Sequence, residues 1–256
     1  MQRHRIQFPP INSQSLGQDE AWFHLLEGEE RHEIRLHDYD IIYKRPGLYE
    51  QLFYDRLKCE SPQKVSEILH AAVRQSRESV SELRVLDLGA GNGMMGEALK
   101  AHGVSRLVGA DIIPEAAMAQ DRDRPGLYDA YYVEDFCDLK DSTREEIADW
   151  SLNCLVTVAA LGFGDIPPKA FIESFNLIRT DGWVALNIKD VFLFKSDQSG
   201  FSTMMRELLF SEFLDLHHLE RYRHRLSVEG KPLYYFAIAG RKKKDLTPEF
   251  LKMFGY

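Results

Sequence analysis

From about residue 84, short apolar runs alternate with amphipathic stretches along the chain. The runs "RVLDL", "RLVGAD", "AYYVED", "NCLVTVAAL" and "WVALNIK" read as buried strands. Helical patterns separate them: residues 94–102 stopping at Gly103, "PEAAMAQ" opening on Pro114, "DSTREEIADW", and "PPKAFIESFNLIR". Strands alternating with helices predict a parallel sheet with right-handed crossovers. The pattern then changes. "SGFSTMMRELLFSEFLDL" reads as an amphipathic helix with His217 and His218 at its end. "HLERYRHRLSV" and "LYYFAIAGRKKK", joined by "EGKP", read as an antiparallel hairpin. "LTPEFLKMF" predicts a short terminal helix with Thr247 as N-cap and Pro248 at its first position. Upstream, residues 21–36 alternate as a hairpin turning at Glu27-Gly28, and residues 46–77 are largely helical. The expected architecture is α/β. It has a cap segment over 1–80, a seven-stranded, mostly parallel core with helices on both faces over 81–245, and a terminal segment over 246–256. The pentapeptide "RPGLY" occurs at 45–49 and 124–128. Its flanks are unrelated, so it reads as similar turn chemistry rather than a repeat.

Composition narrows the class. The 256 residues are 44% hydrophobic and 28% charged, as expected for a soluble protein of one large domain, or of one domain with an appendage. A net charge of −8 disfavours general attraction to nucleic acid or an anionic membrane. Cys59, Cys137 and Cys154 have no paired spacing, which argues for a reducing compartment and against a disulfide framework or a metal site. "MQRHRIQFPP" lacks the apolar core of a signal peptide, and "CLVTVAALGF" is too short to span a bilayer. A cytoplasmic protein without membrane contact, monomeric or homodimeric, is the expectation. The basic runs "RYRHR" at 221–225 and "RKKK" at 241–244 can bind phosphate in principle. In an acidic chain they read as solvated strand ends.

Candidate chemistry concentrates in "VLDLGAGNGMMGEAL", residues 85–99. Gly89, Gly91 and Gly93 each cost backbone entropy at a strand–helix joint. They serve either a tight turn with positive φ or a ligand lying on bare backbone, and Asp87 just before them favours the ligand. The string from Gly91 to Gly96 is G-x-G-x-x-G, a weak signal alone. Asp111 follows Gly91 by 20 residues at a strand end, where a carboxylate can accept from both hydroxyls of a ribose. NAD and S-adenosylmethionine both fit so far. Two features separate them. A carboxylate at 87 would repel a pyrophosphate but suits a sulfonium and an ammonium, and ordinary dinucleotide domains lack the terminal hairpin.

In order and spacing these motifs resemble those of class I S-adenosylmethionine-dependent methyltransferases, over roughly residues 82 to 241. "LDLGAGNG" is similar to the first motif, "LVGADI" to the second, "VEDFCDL" to the third and "CLVTVAALGF" to the fourth. The resemblance implies a Rossmann-like fold and S-adenosylmethionine as cofactor. It implies cofactor contacts from Asp87, Gly89, Ala90, Gly91, Asn92, Gly93 and Met94 in the loop. Asp111 and Ile112 fall at the ribose, Asp135 and Phe136 at the adenine, and Ala159 and Leu161 beneath the methionyl part. A more distant likeness, in "PGLYDAYYVEDFCDL" and "AALGFGDIP", is to Williams–Beuren-region methyltransferase-like proteins, and assigns no substrate.

The expected reaction is methyl transfer to a small-molecule acceptor by in-line displacement. A protein or RNA acceptor is the alternative, and an NAD-binding oxidoreductase or a non-catalytic S-adenosylmethionine binder stands further off. The Asn/Asp-Pro-Pro-aromatic box of nucleic-acid amino-methylating enzymes is missing after the fourth strand. No motif marks a general base. His37, Tyr39, Tyr43 and Tyr49 in the cap, Asp190 after the fifth strand, and His217 and His218 are the candidates. Tyr39 and Tyr49 belong to an aromatic segment, 39–54, expected to close over the cofactor about a Pro46-Gly47 hinge.

Overall fold

The structure is a computed structural model that describes residues 3–10, 20–161, 165–193 and 201–252. The N-terminal segment begins with three antiparallel strands, β1 (Arg5–Gln7), β2 (Trp22–Glu27) and β3 (Glu30–Arg35), in that order across a small sheet. The hairpin between β2 and β3 turns at the expected place, with Gly28 at φ +64°. The hydrophobic pattern does not predict β1. It is only three residues long, below the length at which alternation is readable, and it forms because Ile6 pairs opposite Leu25. Short helices α1 (Tyr39–Tyr43) and α2 (Leu48–Glu50) follow, the second running into a π-helical turn over Gln51–Arg56. Helix α3 (Ser61–Gln75) leaves the cap and lies on the main sheet. Its Val65, Ile68, Leu69 and Val73 join a core with Val85, Leu107, Val156, Trp183 and Ala237.

The main sheet is built from β4 (Arg84–Leu88), α4 (Met94–Ala101), β5 (Arg106–Asp111), α5 (Pro114–Asp123), β6 (Ala130–Val133), α6 (Asp141–Asp149), β7 (Cys154–Thr157), α7 (Pro168–Leu177) and β8 (Trp183–Lys189). Then come α8 (Phe201–Phe210), β9 (Leu214–Leu226), β10 (Pro232–Lys242) and α9 (Pro248–Lys252). The order is β6-β5-β4-β7-β8-β10-β9, parallel through β8, with β10 antiparallel to β8 and β9 antiparallel to β10. Alternation divides each strand between two cores. Val85 faces the side of α3 and α4, whereas Leu86 and Leu88 face α7 and α8 with Phe171, Phe175 and Met204. Asp87 shares the parity of Val85, so it points beneath the loop toward α4, and this decides its role below.

Two readings are corrected here. His217 and His218 do not end a helix. α8 stops at Phe210, Glu212 takes φ +58°, and both histidines lie in β9. Pairing of the whole 214–226 run with β10 overrides the helical spacing. The basic run at 241–244 is not a solvated strand end either. Lys242 is fully buried and donates to the carbonyls of Phe175 (2.8 Å), Asn176 (3.2 Å) and Ile178, capping the C-terminal end of α7. Arg241 pairs with Glu78 and lies 4.3 Å over the Trp183 ring, and Lys243 pairs with Asp181 at 3.0 Å.

Candidate functional site

The carboxyl ends of the parallel strands open into a cleft of about 210 Å³ where the sheet meets the cap. From the glycine loop, Gly89 lines it, while Gly91 lines an inner chamber beside it. Gly89, Gly91 and Gly93 have φ of +71°, +55° and +92°, so the tight-turn requirement holds at all three. Close approach adds to it at all three, and a Cβ on Gly93 would lie 2.7 Å from Leu127. A Cβ on Gly89 would lie 3.0 Å from Ile166 and 3.1 Å from Ala160, and one on Gly91 would lie 2.4 Å from the Tyr43 hydroxyl. At Gly91 the bare backbone is met by the cap, and at Gly89 by the segment that follows β7.

Asp111, at the end of β5, lines the cleft and accepts from the Gly91 N–H (2.9 Å) and the Ile113 N–H (3.0 Å), one on each carboxylate oxygen. Burial raises its pKa against the pull of those backbone donors. Ile112 beside it is 58% exposed, an apolar side chain left open at the rim. Glu134 and Asp135 both line the cleft. Asp135 accepts from the Cys137 N–H at 2.7 Å, and Phe136 is buried between the cleft and the core. Ala159 takes φ +59° and donates its N–H to Asn187 at 2.7 Å, while Leu161 bridges to Ile166.

Asp87 lies apart from the cleft wall. It is 1% exposed and accepts from the Tyr128 hydroxyl at 2.7 Å. Burial lifts its pKa to about 7, opposed by the Tyr128 hydrogen bond and assisted by the Asp111 charge. Asn92 is also turned inward, donating to Glu50 at 2.7 Å, with Arg124 on the same carboxylate at 2.9 Å. Ala90 and Met94 border an inner chamber between loop and cap.

Of the proton-transfer candidates, the structure brings four cap residues to the cleft and leaves three away from it. His37, Tyr39, Tyr43 and Tyr49 line it. Burial raises the pKa of all three tyrosines, so they are hydroxyl donors and not phenolates. Asp190 is held by Arg221 at 3.0 Å. His217 stacks edge-on against Trp183, at the opposite end of β8 from the cleft, and His218 bonds Glu220 at 3.5 Å. Asp165 is not among the residues the sequence singles out. It lines the cleft and lies 3.1 Å from the Nδ1 of His37, 128 residues away. Because a carboxylate only accepts, Nδ1 carries the proton and Nε2 is the acceptor nitrogen when the ring is neutral. No sequence signal joins the two residues. Among the described residues no group of His, Cys, Asp or Glu could hold a metal ion, and no helix is long and apolar enough to cross a membrane.

No family model matches this chain, and neither does any curated protein sequence. Solved structures do match. The N-methyltransferase NodS from Bradyrhizobium japonicum, solved with S-adenosyl-L-homocysteine, is 13% identical. The match covers 80% of this chain and 97% of NodS with a TM-score of 0.54. A candidate RNA methyltransferase from Pyrococcus horikoshii is 12% identical over 71% of this chain and 85% of its own, with a TM-score of 0.50. The strand order, the terminal hairpin and these likenesses give the chain the fold of class I S-adenosylmethionine-dependent methyltransferases.

Proposed function

We propose that this protein binds S-adenosylmethionine and transfers its methyl group to a small-molecule acceptor. The observation that carries the reading is the lining of the cleft. Asp111, Glu134, Asp135 and Asp165 surround a glycine loop at the carboxyl edge of a methyltransferase-fold sheet. Four carboxylates favour a cationic ligand and disfavour a pyrophosphate or a nucleic-acid backbone. The residues fit the cofactor. Asp111 retains accepting capacity on both oxygens for ribose hydroxyls. Ile112 and Phe136 offer apolar surface to an adenine, and Asp135 or Glu134 can accept from its amino group. Gly89 lies on the cleft wall with no side chain of its own to stand between the loop backbone and a ligand. S-adenosylmethionine brings a methyl group on an already activated sulfonium leaving group.

The chain then has to align the acceptor and exclude water. The cap does the second, since Tyr39, Tyr43 and Tyr49 cover the loop. In this reading His37 takes a proton from a hydroxyl or ammonium acceptor, and Asp165, 3.1 Å from its Nδ1, orients the ring. The basic runs give no support to an RNA acceptor. Arg221, Arg223, Arg241 and Lys243 pair with Asp190, Glu60, Glu78 and Asp181, and Lys242 is buried.

Isothermal titration with S-adenosylhomocysteine and with NAD, then incubation of a metabolite extract with isotope-labelled S-adenosylmethionine, tests the proposal. Binding of the first ligand and label in a low-molecular-weight product are expected. Binding of NAD alone, or label entering only RNA or protein, would overturn it. His37→Ala should lower turnover while leaving S-adenosylhomocysteine affinity within about twofold.

A further inference from the structure

The inner chamber, about 60 Å³, lies beneath the cap and behind the glycine loop. Arg225 forms part of its wall and is 3% exposed. Strand alternation in β9 sends Tyr222 and His224 inward and leaves Arg221 and Arg223 outside. By the same alternation Arg225 belongs outside. A β-bulge re-aims it. Arg223 pairs with Tyr234 and Arg225 with Leu233, so His224 is the extra residue and the next side chain also turns inward.

Arg221 and Arg223 each have a carboxylate partner. Among the described residues none lies within ion-pair distance of Arg225. Its one hydrogen bond there runs from Nη1 to the neighbouring Leu226 carbonyl at 2.9 Å. Asp165 borders the same chamber but is engaged by His37. His224 is kept neutral, its pKa held well below the usual imidazole range by burial and then by Arg225 and Lys189. A guanidinium stays charged in proteins, and a buried charge without a partner costs several kcal/mol. The bulge thus delivers a cation with no ion-pair partner among the described residues to the wall of the inner chamber.

We infer that Arg225 is the anion-recognising residue of the acceptor subsite, and that the methyl acceptor carries a carboxylate held by its guanidinium fork. This rests on the methyltransferase reading and names the substrate class for it. Planar pairing to a carboxylate uses two parallel N–H donors, which Arg225 has to spare. Tyr39 and Tyr235 also line the chamber, and their rings suit a flat carbon skeleton beside that group. The cofactor has a carboxylate of its own, so the test must tell the two sources apart.

Thermal melting of the full chain, with and without saturating S-adenosylhomocysteine, is followed while benzoate is added, with benzamide as the uncharged isostere. Benzoate should raise the melting temperature and benzamide should not. Arg225→Met should abolish the benzoate shift, and Arg225→Lys should keep part of it. Ligand-free Arg225→Met should melt no lower than wild type, because an unpaired buried charge has been removed. Titration should find its S-adenosylhomocysteine affinity within about twofold of wild type. The inference is overturned if benzoate has no effect on wild type, or if the shift survives in Arg225→Met. A tenfold loss of S-adenosylhomocysteine affinity would assign Arg225 to the cofactor's carboxylate and equally overturn it. If Arg225→Met fails to fold, Arg225→Gln replaces it, and collapse of both makes the residue structural. Failure of wild type to bind S-adenosylhomocysteine sinks the methyltransferase reading instead, and the benzoate series without that ligand still reports on Arg225.

Discussion

Replacing Asp87 with asparagine should stabilise the ligand-free protein, and by an amount that depends on pH. Asp87 is buried with one hydroxyl partner, and burial lifts its pKa from 3.8 to about 7. In the unfolded chain it ionises near 3.8; in the folded chain it stays protonated until about 7. Between those values the folded state binds more protons, so stability falls as pH rises through the window and levels off above it. A shift of about three units at 1.36 kcal/mol each gives a total penalty of about 4 kcal/mol above pH 7. The asparagine side chain would keep the Tyr128 hydrogen bond through its Oδ1 but would bury an amide donor pair, costing about 1–2 kcal/mol. The net gain for Asp87→Asn is therefore about 2–3 kcal/mol at pH 8 and close to zero at pH 5. Urea unfolding of both proteins at several pH values measures it. Only the difference curve is diagnostic. Asp111, also raised, adds a slope of the same sign, while His224, held neutral, loses stability as pH falls. An Asp87→Asn difference that is equal at pH 5 and pH 8 would refute the reasoning.

Asp111→Asn should weaken S-adenosylhomocysteine binding about tenfold and lower the melting temperature, because its amide NH2 would face one of the two backbone N–H donors. Asp111→Ala should also lower the melting temperature, because the Gly91 and Ile113 N–H groups lose their acceptor; unchanged affinity in both variants would leave Asp111 as a loop cap alone. Gly91→Ala should cost about 1–2 kcal/mol, from its positive φ and its approach to Tyr43. A double-mutant cycle with Tyr43→Phe should recover part of that, and strict additivity would show that the cap does not press on the loop. Lys242→Met should cost about 3 kcal/mol by orphaning the carbonyls at the end of α7, read as a lower urea midpoint. Amide hydrogen exchange should show new protection at residues 39–50 on S-adenosylhomocysteine binding, and protection confined to 87–136 would make the cap static.

The sheet is legible in the sequence because each core strand is a short apolar run between a turn and a helix, which permits few alternatives. The glycine loop is legible for the same reason. What its carboxylate does is not. Asp87 looks like a ligand contact in one dimension, and only strand parity shows that it faces α4. His217 and His218 sit in a pattern compatible with helix or strand, and the partner strand decides it. Asp165 and Arg225 are beyond reach for a different reason. Asp165 acquires its meaning from His37, across 128 residues. Arg225 sits in a charged run that reads as surface throughout, and a single bulge reverses its direction. Periodicity assumes an unbroken register, so it reads such a residue with the wrong sign.

The same contacts limit what the cap can do. The expected lid runs from 39 to 54, hinged at Pro46-Gly47, and Gly47 does take φ +76°. Yet the segment just beyond it is fastened to the C-terminal hairpin. The Leu226 N–H bonds the Leu57 carbonyl at 2.7 Å, and the Glu60 N–H bonds the His224 carbonyl at 2.9 Å. Residues 57–60 thus continue the edge of the sheet that carries Arg225, and opening there would break backbone bonds on both sides. On the other side of the hinge, α1 is held by side chains, with Ile42 and Tyr43 buried in the packing of the cap and of α5. Arg122 donates to the Tyr43 carbonyl at 3.0 Å, and Lys44 pairs with Glu115 at 3.3 Å in a half-exposed bridge. Such contacts are individually weak. A cap that opened to admit a ligand would move at α1 and its tyrosines rather than at residues 57–60, which the backbone bonds tie to β9. An acceptor anchored at Arg225 would be positioned before the tyrosines close, so orientation of the acceptor would fall to β9 and exclusion of water to the cap.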